Sequence, residues 1–347
     1  MKSYSVNSDP RILRMGRHDK NDAAFELYYS GSMAVMNVKG SRLEAEIECG
    51  YDALRPYITF EVDGLRAQTL SPLEGTNFYT VFMGMDSNKT HKVRIIKESQ
   101  AFTDNSFVKL KTVRTDGKLV KVAPKKRRIE FIGDSVTAGE GVRGPKNFSE
   151  WMPMMFCSTD DYALVTADKL KAEFQTVAVS GWGVVCSWDN DPKCNLPRIY
   201  DKLYGLRNDT PYEFDFKPDT VVIALGTNDN SAASQNARLD EASGKMYKLT
   251  DSREDTELFR DKAYEFIKRV NKLNPGAKIV WLTYFKEGRI HAALNEAVLR
   301  AHTEGIDVCL CAPIDIFKLP RGGMGSRSHP GKVTHKAIAE ALYKLLK

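Results

Sequence analysis

Arg128-Ile129-Glu130-Phe131-Ile132-Gly133-Asp134-Ser135-Val136-Thr137-Ala138-Gly139 is a short apolar run that enters a glycine-flanked turn and presents a serine. Such an arrangement suits a nucleophile carried on the end of a buried strand. A hydroxyl is a poor nucleophile near neutral pH, so a reactive Ser135 needs a base within hydrogen-bond reach. It also needs donors aimed at the oxyanion that its attack creates. Gly-Asp-Ser alone also fits an ordinary turn in which Asp and Ser bond nearby backbone, so the partners must be sought elsewhere.

Downstream of this stretch the pattern alternates strand and helix. Apolar runs at 128–132, 174–179, 220–225, 278–283 and 306–310 read as strands, continuous as fully buried parallel strands are. Helices are expected from Ser158, as cap, to Leu170, and over 256–273, 290–303 and 336–346. Asp160 and Asp161 should fall in the first turn of the first of these helices. This predicts an α/β domain around a parallel sheet, in which ligands sit beyond the carboxyl ends of the strands.

Upstream the pattern is β. Alternation at 33–47, 57–62, 77–82 and 91–96, and an Asp116-Gly117 hairpin between Leu110 and Val122, predict a β-sandwich of the jelly-roll kind. The boundary falls at Ala123-Pro124, giving a sandwich over 1–123 and an α/β domain over 124–347. A chain of 347 residues suits two domains.

Three further blocks lie at the ends of expected strands. Ser180-Gly181-Trp182-Gly183 lets the backbone approach a ligand, with an N–H of Gly181 or Gly183 free to donate. Gly226-Thr227-Asn228-Asp229 supplies an amide donor in Asn228. Among six histidines, His329 of Ser328-His329-Pro330-Gly331 is the one placed in a loop after the last strand. Trp182 and Trp188 lie in or just after the glycine block, where a ring could stack on a ligand or fill the core.

The balance of 42% hydrophobic and 28% charged residues is that of an ordinary globular protein. No apolar run approaches the ~20 residues that cross a bilayer, and the amino terminus lacks the apolar core of a secretory signal. The direct expectation is a cytoplasmic protein with no membrane partner, although a signal already removed would leave the same appearance. Six scattered cysteines do not form a disulfide framework, and Cys309-Leu310-Cys311 alternates like buried strand positions rather than a zinc motif. Lys125-Lys126-Arg127-Arg128, the densest part of a net charge of +6, reads as a solvated linker rather than a nucleic-acid footprint. Nothing in the sequence sets an oligomeric state.

Gly133-Asp134-Ser135, Gly181, Gly226-Thr227-Asn228-Asp229 and His329-Pro330 resemble the four blocks of the SGNH (GDSL-type) hydrolases. Ser30-Gly31-Ser32, Val62-Asp63-Gly64, His91-Lys92-Val93, Lys97-Glu98-Ser99 and the stretch from Ile129 to Gly139 narrow the resemblance to carbohydrate esterase family 2, acetyl esterases with a jelly roll ahead of the SGNH domain. The resemblance implies deacetylation of O-acetylated mannan, glucomannan or xylan, polymer or oligosaccharide, with no metal or organic cofactor. It implies Ser135 as nucleophile, His329 as base, and an oxyanion hole from the N–H groups of Ser135 and Gly181 with the side chain of Asn228. One position departs from the pattern. SGNH enzymes commonly place Asp three residues before the His, and Ser326 stands there. A Ser-His dyad is then expected, with a main-chain carbonyl, or less readily Asp315, holding the imidazole. The competing readings are an esterase or thioesterase acting on another small acyl group, and an inactive carbohydrate-binding protein.

Overall fold

The computed structural model describes residues 1–101, 103, 105–319 and 321–347. Strands β1 (Lys2–Ser5), β2 (Leu13–Met15), β3 (Phe25–Glu26), β4 (Met33–Lys39), β5 (Arg42–Gly50), β6 (Ile58–Val62), β7 (Leu65–Leu70), β8 (Gly75–Met83), β9 (His91–Lys97), β10 (Phe107–Thr115) and β11 (Lys118–Val120) build two antiparallel sheets. One runs β1-β10-β5-β8 with β3 on β10; the other runs β11-β4-β9-β6-β7 with β2 on β4.

Within the second sheet β4 and β6 are buried on both faces while the edge strand β7 is exposed, and the doubly covered part sets how the halves of the molecule meet. Successive side chains of a strand point to opposite faces. In β4, Ala34, Met36 and Val38 enter the sandwich core, while Met33 and Val35 join Met15 and Ile96 in packing against Phe131 and Phe174 of the α/β half. The apolar Met33-Ala34-Val35-Met36 run is thus a strand with a hydrophobic neighbour on each side.

The α/β half contains β12 (Arg127–Gly133), α1 (Tyr162–Lys169), β13 (Ala172–Ala178), α2 (Leu196–Ile199), β14 (Thr220–Ala224), α3 (Thr227–Ala232), a hairpin of β15 (Arg238–Asp240) and β16 (Lys245–Tyr247), α4 (Arg253–Leu273), β17 (Lys278–Leu282), α5 (Arg289–Thr303), β18 (Val308–Cys311) and α6 (Lys332–Leu346). Its parallel sheet has the order β13-β12-β14-β17-β18. Strand order therefore reverses at β12 and β14, and the crevice beyond their carboxyl ends is where such sheets bind ligands. No helix among the described residues is long and apolar enough to cross a membrane.

Helix α1 begins later than its sequence suggests. Ser158–Asp160 forms a 3-10 turn, and Asp161 is the cap, accepting from the N–H of Ala163 and Leu164. Asp160 instead pairs with Arg66 of the sandwich and Lys332 of α6. Both Ser and Asp cap well, and the sequence alone does not choose between two caps three residues apart.

Two buried carboxylates tie the halves together. Arg17, just beyond β2, pairs with Glu130 of β12 at 3.1 Å, both side chains fully buried. Its other guanidinium nitrogen donates to the carbonyls of Tyr200 and Lys202, while Glu130 also accepts from Gln175 and the Tyr200 hydroxyl. At the far end of β9, buried Glu98 accepts from the Thr59 hydroxyl, from the Thr159 N–H and hydroxyl at 3.0 and 2.8 Å, and from Arg143 at 3.1 Å. Gln100, two residues on, accepts from the N–H of Ser180 at 2.9 Å.

Breaking a buried pair by removing one partner leaves an uncompensated charge, at a cost of about 3–5 kcal/mol. Arg17→Met should therefore destabilise the protein by about that amount in urea unfolding. The Arg17→Met/Glu130→Met double variant should lose clearly less than the sum of the two single changes. Additive losses would show that the two side chains do not act as a pair.

Candidate active site

Ser135 sits in the turn directly after β12, with its Oγ 2.9 Å from Nε2 of His329. Nδ1 of the same ring lies 2.8 Å from the main-chain carbonyl of Arg327. A carbonyl oxygen can only accept, so Nδ1 carries the hydrogen and Nε2 is left with the lone pair that accepts from the serine hydroxyl. The Arg327 carbonyl, and not Asp315, takes this nitrogen; Asp315 pairs with Lys318 at 3.5 Å.

The carbonyl reaches Nδ1 because the loop ahead of His329 is wound the wrong way for ordinary residues. Arg327 has φ 51° and ψ 37°, and Ser328 has φ 57°. Left-handed non-glycine residues cost of order 1–3 kcal/mol each and persist only where the surroundings impose them. The surroundings here are close. The Arg327 N–H donates to Phe148 O at 2.9 Å, and its guanidinium reaches Glu140 at 3.2 Å and Ser149 O at 3.0 Å. Ser326, fully buried, donates its hydroxyl to the Arg143 carbonyl and its N–H to that of Gly141. The hydroxyl standing where the aspartate would be thus bonds a neighbouring loop and not the imidazole, while the Ser326 carbonyl accepts the His329 main-chain N–H at 3.0 Å.

Three residues with donors to offer, Ser135, Gly181 and Asn228, line the cleft over the serine. The N–H groups of Ser135 and Gly181 have no hydrogen-bond partner among the described residues. Asn228, in the first turn of α3, commits one amide hydrogen to the Trp182 carbonyl at 2.9 Å and makes a long 3.4 Å contact with Asp134 Oδ2 through the same nitrogen. Gly181 has φ +81°, and a Cβ there would lie 2.9 Å from the Trp188 ring, so two separate constraints require glycine.

Two buried aspartates brace these donors. Asp229 accepts from the N–H groups of Val184 and Val185 at 2.9 and 2.7 Å, fixing the loop that carries Gly181. Burial pushes its carboxyl up to about 6, with these N–H bonds opposing the rise. Asp134 accepts from the Val136 N–H at 3.0 Å, and burial, more than its neighbours, raises it to about 7.

A cleft of about 720 Å³ opens over Ser135, Gly181, Asn228 and His329. Its walls include the aromatic residues Trp151, Trp188 and Phe285 and the polar residues Glu140, Asn230 and Gln235. Trp188 is half exposed in this wall. Trp182 is not among the lining residues; it packs against the large core cluster, with the Arg198 guanidinium 5.9 Å from its ring. Of the two tryptophans singled out from sequence, the cleft therefore contains one, and Trp151 joins it from a loop with no recognisable signal. Glu140 was also missed, though it lies in the same turn as the serine; its Oε1 is 3.8 Å from His329 Nε2. No group of His, Cys, Asp and Glu suited to a metal ion occurs among the described residues.

Residues 131–330, more than half of the chain, match the GDSL-like Lipase/Acylhydrolase family. The chain belongs to that family. Residues 14–122 match the Carbohydrate esterase 2 N-terminal domain, so the GDSL-like hydrolase domain follows the sandwich typical of that esterase family. A Cellvibrio japonicus protein named acetylxylan esterase / glucomannan deacetylase is 31% identical over 234 residues, 65% of this chain and 63% of that protein. The chain thus spans less than two thirds of this curated relative, and 27% of a second, a cellulase/esterase of Acetivibrio thermocellus that is 30% identical. An acetyl xylan esterase from the rumen bacterium Butyrivibrio proteoclasticus superposes with a TM-score of 0.94 at 28% identity, covering 99% of this chain and 97% of that one. A family two carbohydrate esterase from Clostridium thermocellum, solved with cellohexaose, shares the fold at a TM-score of 0.83 and 24% identity, over 97% and 98% of the two chains.

The raised aspartates of this GDSL-like domain have a consequence for stability. An unfolded Asp titrates near 3.9, so between about pH 4 and 7 the folded protein binds more protons through Asp134 and Asp229, and their contribution to stability falls as pH rises. Buried His335, held down to about 3, works in the opposite direction below about pH 6.5, so the contrast must be made against a variant. Asp134→Asn should become more stable relative to wild type at pH 8 than at pH 5 in urea unfolding. A stability difference independent of pH would mean that Asp134 does not titrate in this window.

Proposed function

We propose that this protein is a carbohydrate acetyl esterase that removes O-acetyl groups from acetylated plant polysaccharides or oligosaccharides through a Ser135-His329 dyad. The observation that carries the reading is the serine hydroxyl 2.9 Å from Nε2, with the other ring nitrogen held by a carbonyl and unpartnered backbone donors beside it. The relatives named acetylxylan esterase and glucomannan deacetylase supply the acyl group and the xylan and mannan classes of polymer.

In this mechanism Ser135 Oγ attacks the acetyl carbonyl carbon while Nε2 of His329 takes the hydroxyl proton. The carbonyl π electrons move onto oxygen, and the oxyanion is met by the N–H groups of Ser135 and Gly181 and by the Asn228 amide, whose long contact to Asp134 yields to a charged acceptor. Collapse expels the sugar oxygen, which receives the Nε2 proton and leaves as a hydroxyl. Water then attacks the acetyl-serine with His329 again as base, releasing acetate and restoring the serine. Nδ1 keeps its hydrogen throughout, so the Arg327 carbonyl serves both halves of the cycle. The Trp188 face gives a sugar ring a stacking surface beside the reacting ester.

Acetate release from acetylated xylan and mannan oligosaccharides tests the reading directly. Ser135→Ala should abolish it with the fold intact, and Asn228→Ala should lower kcat by roughly 10²–10³ with a smaller change in KM. Wild-type turnover in Ser135→Ala sinks the esterase reading. An Asn228→Ala variant altered in KM alone makes that residue a ground-state contact.

Trp188 is tested separately, since its ring also covers Gly181. Trp188→Ala should raise KM for an acetylated oligosaccharide severalfold while a small aryl acetate is turned over nearly as before. Equal losses on the two substrates would assign the ring to bracing Gly181 and not to holding a sugar.

A further inference from the structure

The dyad reading leaves one demand unanswered: an arginine must be kept in a left-handed conformation for as long as its carbonyl is to hold the histidine. The geometry points to Glu140 as the positioning residue that does this, clamping the Arg327 side chain so that the Arg327 carbonyl stays on Nδ1 of His329. The inference rests on the dyad proposed above and adds a member to it that acts through another residue.

Three features of Glu140 carry it. Its side chain is almost fully buried, 3% exposed, where it lines the cleft, and Oε1 accepts from Nε of Arg327 at 3.2 Å. Its own N–H donates to the carbonyl of Ser135 at 2.9 Å, so the clamp is built on the nucleophile's turn. Its Oε1 is 3.8 Å from Nε2 of His329, beyond hydrogen-bond reach, so it does not compete with the serine for the lone pair. Glu140 is therefore joined to the nucleophile through its main chain and to the base through Arg327, and it sets the spacing of the two.

Relaxation of Arg327 to negative φ would rotate the following peptide and carry its carbonyl away from the ring. The Phe148 carbonyl fixes the N–H before that rotation, and the Ser149 carbonyl holds one guanidinium nitrogen. Glu140 supplies the one ion pair of the three, from a buried position, which makes it the strongest restraint. It can also act on His329 by charge alone, through space, and the two roles give different results when Arg327 is changed.

The test uses the full chain, with wild type, Glu140→Gln, Glu140→Ala and Glu140→Ala/Arg327→Gly compared for kcat and KM on an aryl acetate, for thermal unfolding, and by crystal structures. Loss of the clamp should lower kcat of Glu140→Ala by on the order of 10²-fold, the size expected for a small displacement of a reacting group, with KM little changed. Glu140→Gln, which keeps an acceptor for Arg327, should retain most of the activity. Glycine adopts positive φ without the Cβ penalty, so Arg327→Gly in the Glu140→Ala background should recover much of the lost kcat. Crystals of Glu140→Ala should show Arg327 out of the left-handed region.

Wild-type kcat in Glu140→Ala overturns the inference. So does a Glu140→Ala crystal in which Arg327 keeps positive φ together with a double variant no faster than the single, because the carboxylate would then act by charge and not by position. The φ of Arg327 is read without any turnover. A wild-type protein that released no acetate would therefore defeat the dyad while the clamp stood or fell on the crystal structures.

Discussion

A single hydrogen bond, from Nδ1 of His329 to the carbonyl of Arg327, is the constraint around which this active site is arranged. A carboxylate in that place would orient the ring and also offset the charge of the imidazolium formed during attack. A carbonyl does the first and contributes only a dipole to the second. Orientation must then come from backbone, and backbone must be held by packing. The loops 139–144 and 323–331 accordingly nest with no room to spare. A Cβ on Gly325 would overlap the carbonyl oxygen of Gly141, and one on Gly144 would meet the Ser326 hydroxyl at 2.5 Å. Ser326 belongs to this solution: short and neutral, it bonds the Arg143 carbonyl where a longer acid would have to find room.

The parallel sheet supplies the remainder of the geometry. Ser135, Gly181 and Asn228 follow β12, β13 and β14, three adjacent strands, so their mutual placement is fixed by ladder hydrogen bonds and not by flexible loops. The aspartates of the Gly-Asp-Ser and Thr-Asn-Asp blocks are fully buried and do not line the cleft. They collect main-chain N–H groups of the serine turn and the Gly181 loop, which converts two glycine-rich turns into rigid parts. In the mechanism proposed above, rigidity of this kind is what allows donors to wait for a charge that exists only briefly.

Much of this could be read from residues alone, and the exceptions have physical causes. Buried parallel strands announce themselves as continuous apolar runs, and β12, β14 and β17 lie within a residue or two of where Arg128–Ile132, Thr220–Leu225 and Lys278–Thr283 place them. Strands β1, β2 and β3 escaped because two to four residues carry no period, and their pairing with β10 and β4 is a long-range event. Asn228 was expected at the end of a strand and lies in the first turn of α3, where Gly226 at φ +118° starts a helix that the Thr-Asn-Asp composition does not advertise. Trp182 and Trp188 could not be separated by spacing, since the chain reverses between Trp182 and Ser187, which bridge each other in antiparallel fashion. The left-handed Arg327 had no signal at all: neither glycine nor asparagine marks it, and only the fold around it makes the conformation tolerable.

The contacts of Glu98 and Gln100 also bear on how such a chain can be inherited. Glu98 grips Arg143, whose carbonyl holds Ser326 beneath the histidine loop, and Gln100 takes the N–H next to Gly181. Both belong to the sandwich, yet they set the two flanks of the catalytic cleft. A recombination event that cut the gene between the halves and joined the hydrolase half to some other module would leave Arg143 and Ser180 without their partners. The new fusion would bear a complete set of reacting residues on loops no longer told where to stand. The sandwich is therefore not cargo that the hydrolase carries but part of its reading frame for catalysis, and the two would be expected to travel through evolution as one piece.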